Sequence, residues 1–126
     1  MQLTEHRPGN HHVIRRAEPN AVWVDDQRIA TSLLVGARLL QTDWPVHALG
    51  DLDDETLQPL FKLSPEVVLL GVGERQQLPD PILQRRFLEQ GIGLECMTLP
   101  AACRTFNVLM SENRRAVAAL ILPRGD

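Results

Sequence analysis

In the first third of the chain, apolar positions come in short runs separated by turn-forming residues. His12-Val13-Ile14-Arg15-Arg16-Ala17 reads as a strand with weak alternation, and Pro19-Asn20 ends it. Ala21-Val22-Trp23-Val24 follows, and Asp25-Asp26-Gln27 then turns the chain into a third run, Arg28 to Val35. Turns at this spacing predict an antiparallel meander. Gly36 closes it, and Arg38-Leu39-Leu40 and Pro45-Val46-His47 read as brief extended pieces around Trp44.

From Asp51 the period changes. Asp51-Leu52-Asp53-Asp54-Glu55 places carboxylates where the positive end of a helix dipole favours them, and Leu57, Leu60 and Phe61 follow at helical spacing. Pro59 within this pattern predicts a short or kinked helix, closed by Ser64-Pro65. Val67-Val68-Leu69-Leu70 is a continuous apolar run, as in a strand covered on both faces. Asp80-Pro81 opens a second helix and Gly91 stops it, with Ile82, Leu83, Phe87 and Leu88 as its apolar stripe. Gly93 to Met97 is the next strand. Thr98 caps a third helix, in which Leu99, Ala102, Phe106, Leu109 and Met110 share one buried face. Ala116 to Leu122 forms a last buried strand, ended by Pro123. Strand–helix–strand–helix–strand predicts right-handed crossovers and three parallel strands. The meander is expected at a sheet edge or in a packed second layer. The fold class expected is α/β with a mixed β-sheet, one domain over residues 12–126 behind a flexible N-terminal arm at 1–11.

Composition narrows the function. The 126 residues carry 13 basic and 16 acidic side chains, a net charge of −3, and only five aromatics (Trp23, Trp44, Phe61, Phe87, Phe106). An acidic chain with few stacking side chains is a poor nucleic-acid binder. The longest apolar run, Ala116 to Leu122, is seven residues, short of the ~20 needed for a membrane-spanning helix. The N-terminus shows no signal-peptide core, so a soluble, cytoplasmic protein without membrane insertion is expected. Two cysteines, Cys96 and Cys103, make no disulfide framework and are expected to be buried and inert. His6, His11, His12 and His47 lack metal-ligand spacing, so no metal and no cofactor is expected.

Two places have the residue types for binding chemistry. Gly71-Val72-Gly73 ends a parallel strand, where α/β folds take ligands and where glycines admit a close backbone or anion. The full dinucleotide fingerprint is absent, since position 76 is Gln. Thr98 and the first turn of its helix would present free backbone donors to an anion. Arg104, Thr105 and Asn107 are polar positions among apolar ones, and Arg104 and Asn107, three apart, can share a helix face. The candidate ligand site is therefore Gly71, Gly73, Thr98, Arg104, Thr105 and Asn107, at the carboxyl ends of the parallel strands. Trp44 is either core or an exposed anchor for a partner. No catalytic residue is assigned, because no nucleophile–base pair or Walker sequence occurs.

The stretches Gly91-Ile92-Gly93-Leu94-Glu95-Cys96-Met97-Thr98, Ala102-Cys103-Arg104-Thr105-Phe106-Asn107-Val108-Leu109 and Glu112-Asn113-Arg114-Arg115-Ala116 resemble, in order and spacing, the signature of domain-of-unknown-function family 498. That family includes the mitochondrial complex I assembly factor 3 and the adipogenesis-associated small domain protein. Ser32-Leu33-Leu34-Val35 and Trp44 extend the resemblance over nearly the whole chain from His12. Asn113 stands where the family usually has glycine, and Asp26 where its meander often does. The resemblance implies a three-layer α/β domain, free-standing in bacteria, with no established activity, cofactor or catalytic residues. It implies an assembly role through protein partners, and a homo-oligomer is a further expectation. The function expected is therefore a non-catalytic interaction or assembly-type protein. The alternative is a small-molecule or anion-binding domain, conceivably an enzyme, using the candidate site.

Overall fold

A computed structural model of the chain describes residues 11–124; the arm expected over 1–11 lies outside these residues but for His11. Eight strands and three α-helices follow in order. The strands β1 (Ile14–Glu18), β2 (Ala21–Val24) and β3 (Gln27–Ile29) form an antiparallel three-stranded sheet. The strands β4 (Leu33–Val35), β5 (Leu40–Gln41), β6 (Val67–Val72), β7 (Gly93–Met97) and β8 (Ala116–Ile121) form a second sheet, in the order β5-β4-β8-β6-β7. In it β7, β6 and β8 run parallel, while β4 joins β8 antiparallel. The helices are α1 (Asp54–Leu63), α2 (Pro81–Glu89) and α3 (Leu99–Ser111).

The period-2 geometry of the central strands sorts the core into two halves. Leu69 of β6 and Ala116, Ala118 and Leu120 of β8 face one side, where α3 presents Leu99, Ala102, Phe106 and Met110 and the small sheet adds Ile14, Val22, Val24 and Ile29. Val68, Leu70 and Val72 with Val117, Ala119 and Ile121 face the other, under α1 and α2. The result is three layers: the small sheet with α3, the five-stranded sheet, and α1 with α2.

Local chemistry sets the element ends. Asp53 and Thr56 cap α1 reciprocally, the Asp53 carboxylate accepting from the Thr56 amide at 2.9 Å and the Thr56 hydroxyl accepting from the Asp53 amide at 2.9 Å. Pro59 lies inside this helix, which stays short at ten residues. Asn113 has φ of +59°, so it supplies the left-handed turn after α3 that glycine commonly supplies at a helix end.

Two expectations needed correction. The run from Arg28 to Val35 is not one strand: β3 and β4 belong to different sheets. The buried Ser32 marks the change, because its hydroxyl donates to the Val46 carbonyl and accepts from the Leu122 amide at 2.8 Å, which pulls the chain onto the end of β8. The apolar stripe of α2 is also half of what was expected. Leu83 and Phe87 are buried, Phe87 meeting Phe61 of α1 edge-on with ring centroids 5.0 Å apart, while Ile82 and Leu88 are 65% and 77% exposed.

Candidate functional site

The turn after β6 and the first turn of α3 meet at the carboxyl ends of the parallel strands, and the packing there assigns the glycines different tasks. A Cβ on Gly71 would lie 2.5 Å from the Ala102 Cβ and 3.4 Å from the Leu99 Cα, so Gly71 is the place where α3 seats against the sheet. Gly73 has φ of +67°, a left-handed conformation natural to glycine, and its carbonyl accepts from the Leu99 amide at 2.9 Å.

That bond changes what the helix terminus can do. Besides Leu99, the Ala101 amide donates to the Thr98 hydroxyl at 3.3 Å and the Ala102 amide to the Thr98 carbonyl at 2.9 Å. Pro100 has no amide hydrogen. The donors expected to hold an anion are thus already satisfied or absent, and the backbone anion site read from the sequence is corrected accordingly.

The side-chain candidates also part company. Asn107 turns to β1, its Oδ1 accepting from the Ile14 amide at 3.0 Å and its Nδ2 donating to the Ile14 carbonyl at 2.8 Å. Thr105 is half-buried, and Arg104 lies exposed on the helix. Of the six candidates, only Gly73 borders the cleft at this end of the sheet. Trp44 is 2% exposed and its indole donates to the Thr56 carbonyl at 3.0 Å, which removes it as a surface anchor.

The cleft itself has a volume of about 650 Å³ and lies between the β1–β2 turn, the 72–74 turn, the start of α3 and the end of β8. Its walls are mostly apolar, with Pro19, Leu99, Pro100 and Pro123 among them. The charged groups on it, Glu18 and Glu74, are acidic. The Glu18 carboxylate accepts from the Trp23 indole at 2.9 Å and from Arg28 at 3.1 Å, and these bonds hold it below the usual carboxylate range. His47 also borders the cleft; its Nδ1 is buried without a hydrogen-bond partner among the described residues.

The remaining reactive groups are held apart. Cys103 is buried in the α3 layer, and burial pushes its thiol up to about 12 although the Arg104 charge works the other way. Burial also raises Cys96, whose thiol donates to the Gln77 carbonyl at 3.4 Å. His12 pairs with Asp25 at 2.7 Å. Among the described residues no group of three or more His, Cys, Asp or Glu side chains is placed to hold a metal. None of their helices is long and apolar enough to cross a membrane. The sequence reading did not single out Glu18; Ser32 entered only within the run that carries the resemblance, and His47 only as one of four histidines without metal-ligand spacing.

Comparison with known proteins gives four informative matches. The family described as protein of unknown function (DUF498/DUF598) matches residues 14–121. A Bos taurus protein named NADH dehydrogenase (ubiquinone) 1 alpha subcomplex assembly factor 3 is 30% identical over 124 residues, covering 90% of this chain and 67% of its own length. The Xenopus tropicalis protein of the same name is 33% identical over 101 residues, covering 79% of this chain and 54% of its own length. The chain thus spans about half to two thirds of the length of these two relatives. A Xanthomonas campestris protein solved by NMR is 39% identical and superposes with a TM-score of 0.81, over 97% of this chain and 92% of that one.

Proposed function

The chain belongs to the protein family of unknown function DUF498/DUF598, and from that membership we propose that it works as a non-catalytic interaction or assembly-type protein. The observation that carries this reading is the engagement of Thr98 and Asn107, whose polar groups hydrogen-bond within the chain rather than converging on a substrate. The assembly-factor name of the bovine and frog relatives supports the narrower form, a part in assembling a respiratory NADH dehydrogenase. Leu78, Ile82 and Leu88, at 86%, 65% and 77% exposure, offer contact area on and beside α2 for a protein partner or a second copy. The reading puts the protein in the cytoplasm, where free thiols such as Cys96 and Cys103 stay reduced.

The test is to delete the encoding gene in the native organism and to quantify assembled NADH:quinone oxidoreductase on native gels. The expected result is less assembled enzyme with unchanged subunit synthesis, restored by returning the gene. Unchanged assembly would remove the narrower form. Turnover of a metabolite by the purified chain would remove the non-catalytic reading.

The 650 Å³ cleft favours a second reading, a small-molecule-binding domain. Glu18 and Glu74 on its walls suit a neutral or cationic ligand better than an anion. A metabolite screen by NMR tests it, with saturable shifts at Gly73, Glu74 and Leu99 as the supporting result.

A further inference from the structure

A second cleft opens at the opposite end of the parallel strands, with a volume of about 770 Å³. It lies between the last residues of α1, the end of α3 and the turn joining β4 to β5. Leu39, Leu63, Met110 and Val117 give it an apolar surface, and Leu63 is 46% exposed there. Arg38, Arg114 and Arg115 line it as well, a concentration of positive charge in a chain of net charge −3.

The three arginines are not equivalent. Arg114 is neutralised by Glu66, Nη2 to Oε2 at 2.6 Å, with Glu112 at 3.8 Å. Arg38 and Arg115 have no carboxylate within 4.0 Å among the described residues. Arg115 spends one donor on the Ser64 carbonyl at 2.8 Å, and a guanidinium carries five. Two under-used forks beside an apolar wall match a ligand with one anionic head and a hydrocarbon body. The cleft volume is in the range that holds small ligands, ~300–1,000 Å³. Glu66 and Glu112 nearby favour a singly charged head over a doubly charged phosphate, because each added negative charge meets their repulsion.

We propose that this cleft binds an amphiphilic monocarboxylate, its carboxylate on Arg38 and Arg115 and its alkyl chain on Leu39, Leu63, Met110 and Val117. The site is independent of the assembly role and of the cleft at the other end of the sheet.

The experiment is an amide-resolved NMR titration of the full chain with sodium decanoate below its micelle concentration. Decan-1-ol serves as the uncharged control, and sodium acetate and inorganic phosphate as heads without a tail. Decanoate should give saturable shifts at Leu39, Met110 and Val117, with affinity about tenfold weaker in Arg38→Gln and in Arg115→Gln, and about tenfold weaker again for decan-1-ol on the unchanged chain. Arg38 is exposed on a turn, so its variant keeps the test decisive even where loss of the Ser64 contact unsettles Arg115→Gln. No saturable shift with decanoate would overturn the proposal. So would equal binding of decanoate by the unchanged chain and Arg38→Gln, or binding of decan-1-ol, acetate or phosphate as tight as that of decanoate.

Discussion

Asn107 holds Ile14 by both of its backbone groups: the side-chain oxygen accepts from the Ile14 amide at 3.0 Å and the side-chain nitrogen donates to its carbonyl at 2.8 Å. An asparagine carboxamide presents a donor and an acceptor side by side, which is what one residue of an unpaired strand edge requires. Ile14 lies at an irregularity in the β1–β2 register, where strand pairing alone leaves its groups wanting partners. The side chain thus fastens the small sheet to α3 across 93 residues of sequence. A residue that looked like ligand chemistry is part of the join between two layers.

Gly71→Ala should destabilise the chain by about 1–3 kcal/mol, the usual cost of overpacking. The added Cβ would stand 2.5 Å from the Ala102 Cβ and 3.1 Å from the Leu120 Cδ2, and neither the helix nor the strand can move alone. Chemical denaturation measures the loss, and pairing the change with Ala102→Gly should recover part of it. An unchanged midpoint for Gly71→Ala would mean that α3 seats elsewhere.

Asp25 makes part of the stability depend on acid. Burial raises its pKa, but the hydrogen bonds from His12 and from the Val13 amide, at 2.7 and 3.0 Å, outweigh that and leave it below the ordinary value of 3.8. A carboxylate lowered on folding contributes its full stabilisation above the unfolded value and loses it as pH falls through the folded one. Stability should therefore decline below about pH 4, and less steeply in Asp25→Asn. Asparagine also tolerates the left-handed φ of +54° at this position. Glu18, Asp53 and Glu66, lowered likewise, keep the remaining slope. Denaturant midpoints across pH 2 to 6 check it, and superimposable curves would contradict it.

What was legible in the sequence is what local chemistry decides. Asp80-Pro81 and Thr98 with Pro100 mark two helix starts without help from the rest of the chain, and the buried face of α3 is written at i, i+3 and i+7. The continuous apolar runs of β6 and β8 likewise announced strands covered on both faces. What escaped depends on partners far away. Ser32 meets Leu122 across 90 residues and Asn107 meets Ile14 across 93, so nothing beside either residue says what it is bound to. The same limit governs the candidate site. The place where β6 and α3 meet was readable from the strand–helix order, but whether the helix amides are free depends on the Gly73 carbonyl reaching Leu99.

Cys103 should resist alkylation in the native chain. With its thiol pushed up to about 12 by burial, the thiolate is scarce at pH 8, and the residue is only 5% exposed to the reagent. Iodoacetamide labelling followed by mass spectrometry should show Cys103 modified only after denaturation. Rapid native labelling would reveal an accessible nucleophile.

Amide hydrogen exchange at Ile14 tests most directly whether Asn107 serves the fold rather than a ligand. Asn107→Ala removes both bonds and should lower stability by about 1–3 kcal/mol. The Ile14 amide should exchange at least about tenfold faster in this variant than in the unchanged chain, a factor of ten being about 1.4 kcal/mol, while local openings of β8 stay as they were. An Ile14 amide that exchanges equally fast in both chains would contradict the structural role and return Asn107 to the list of residues available for binding.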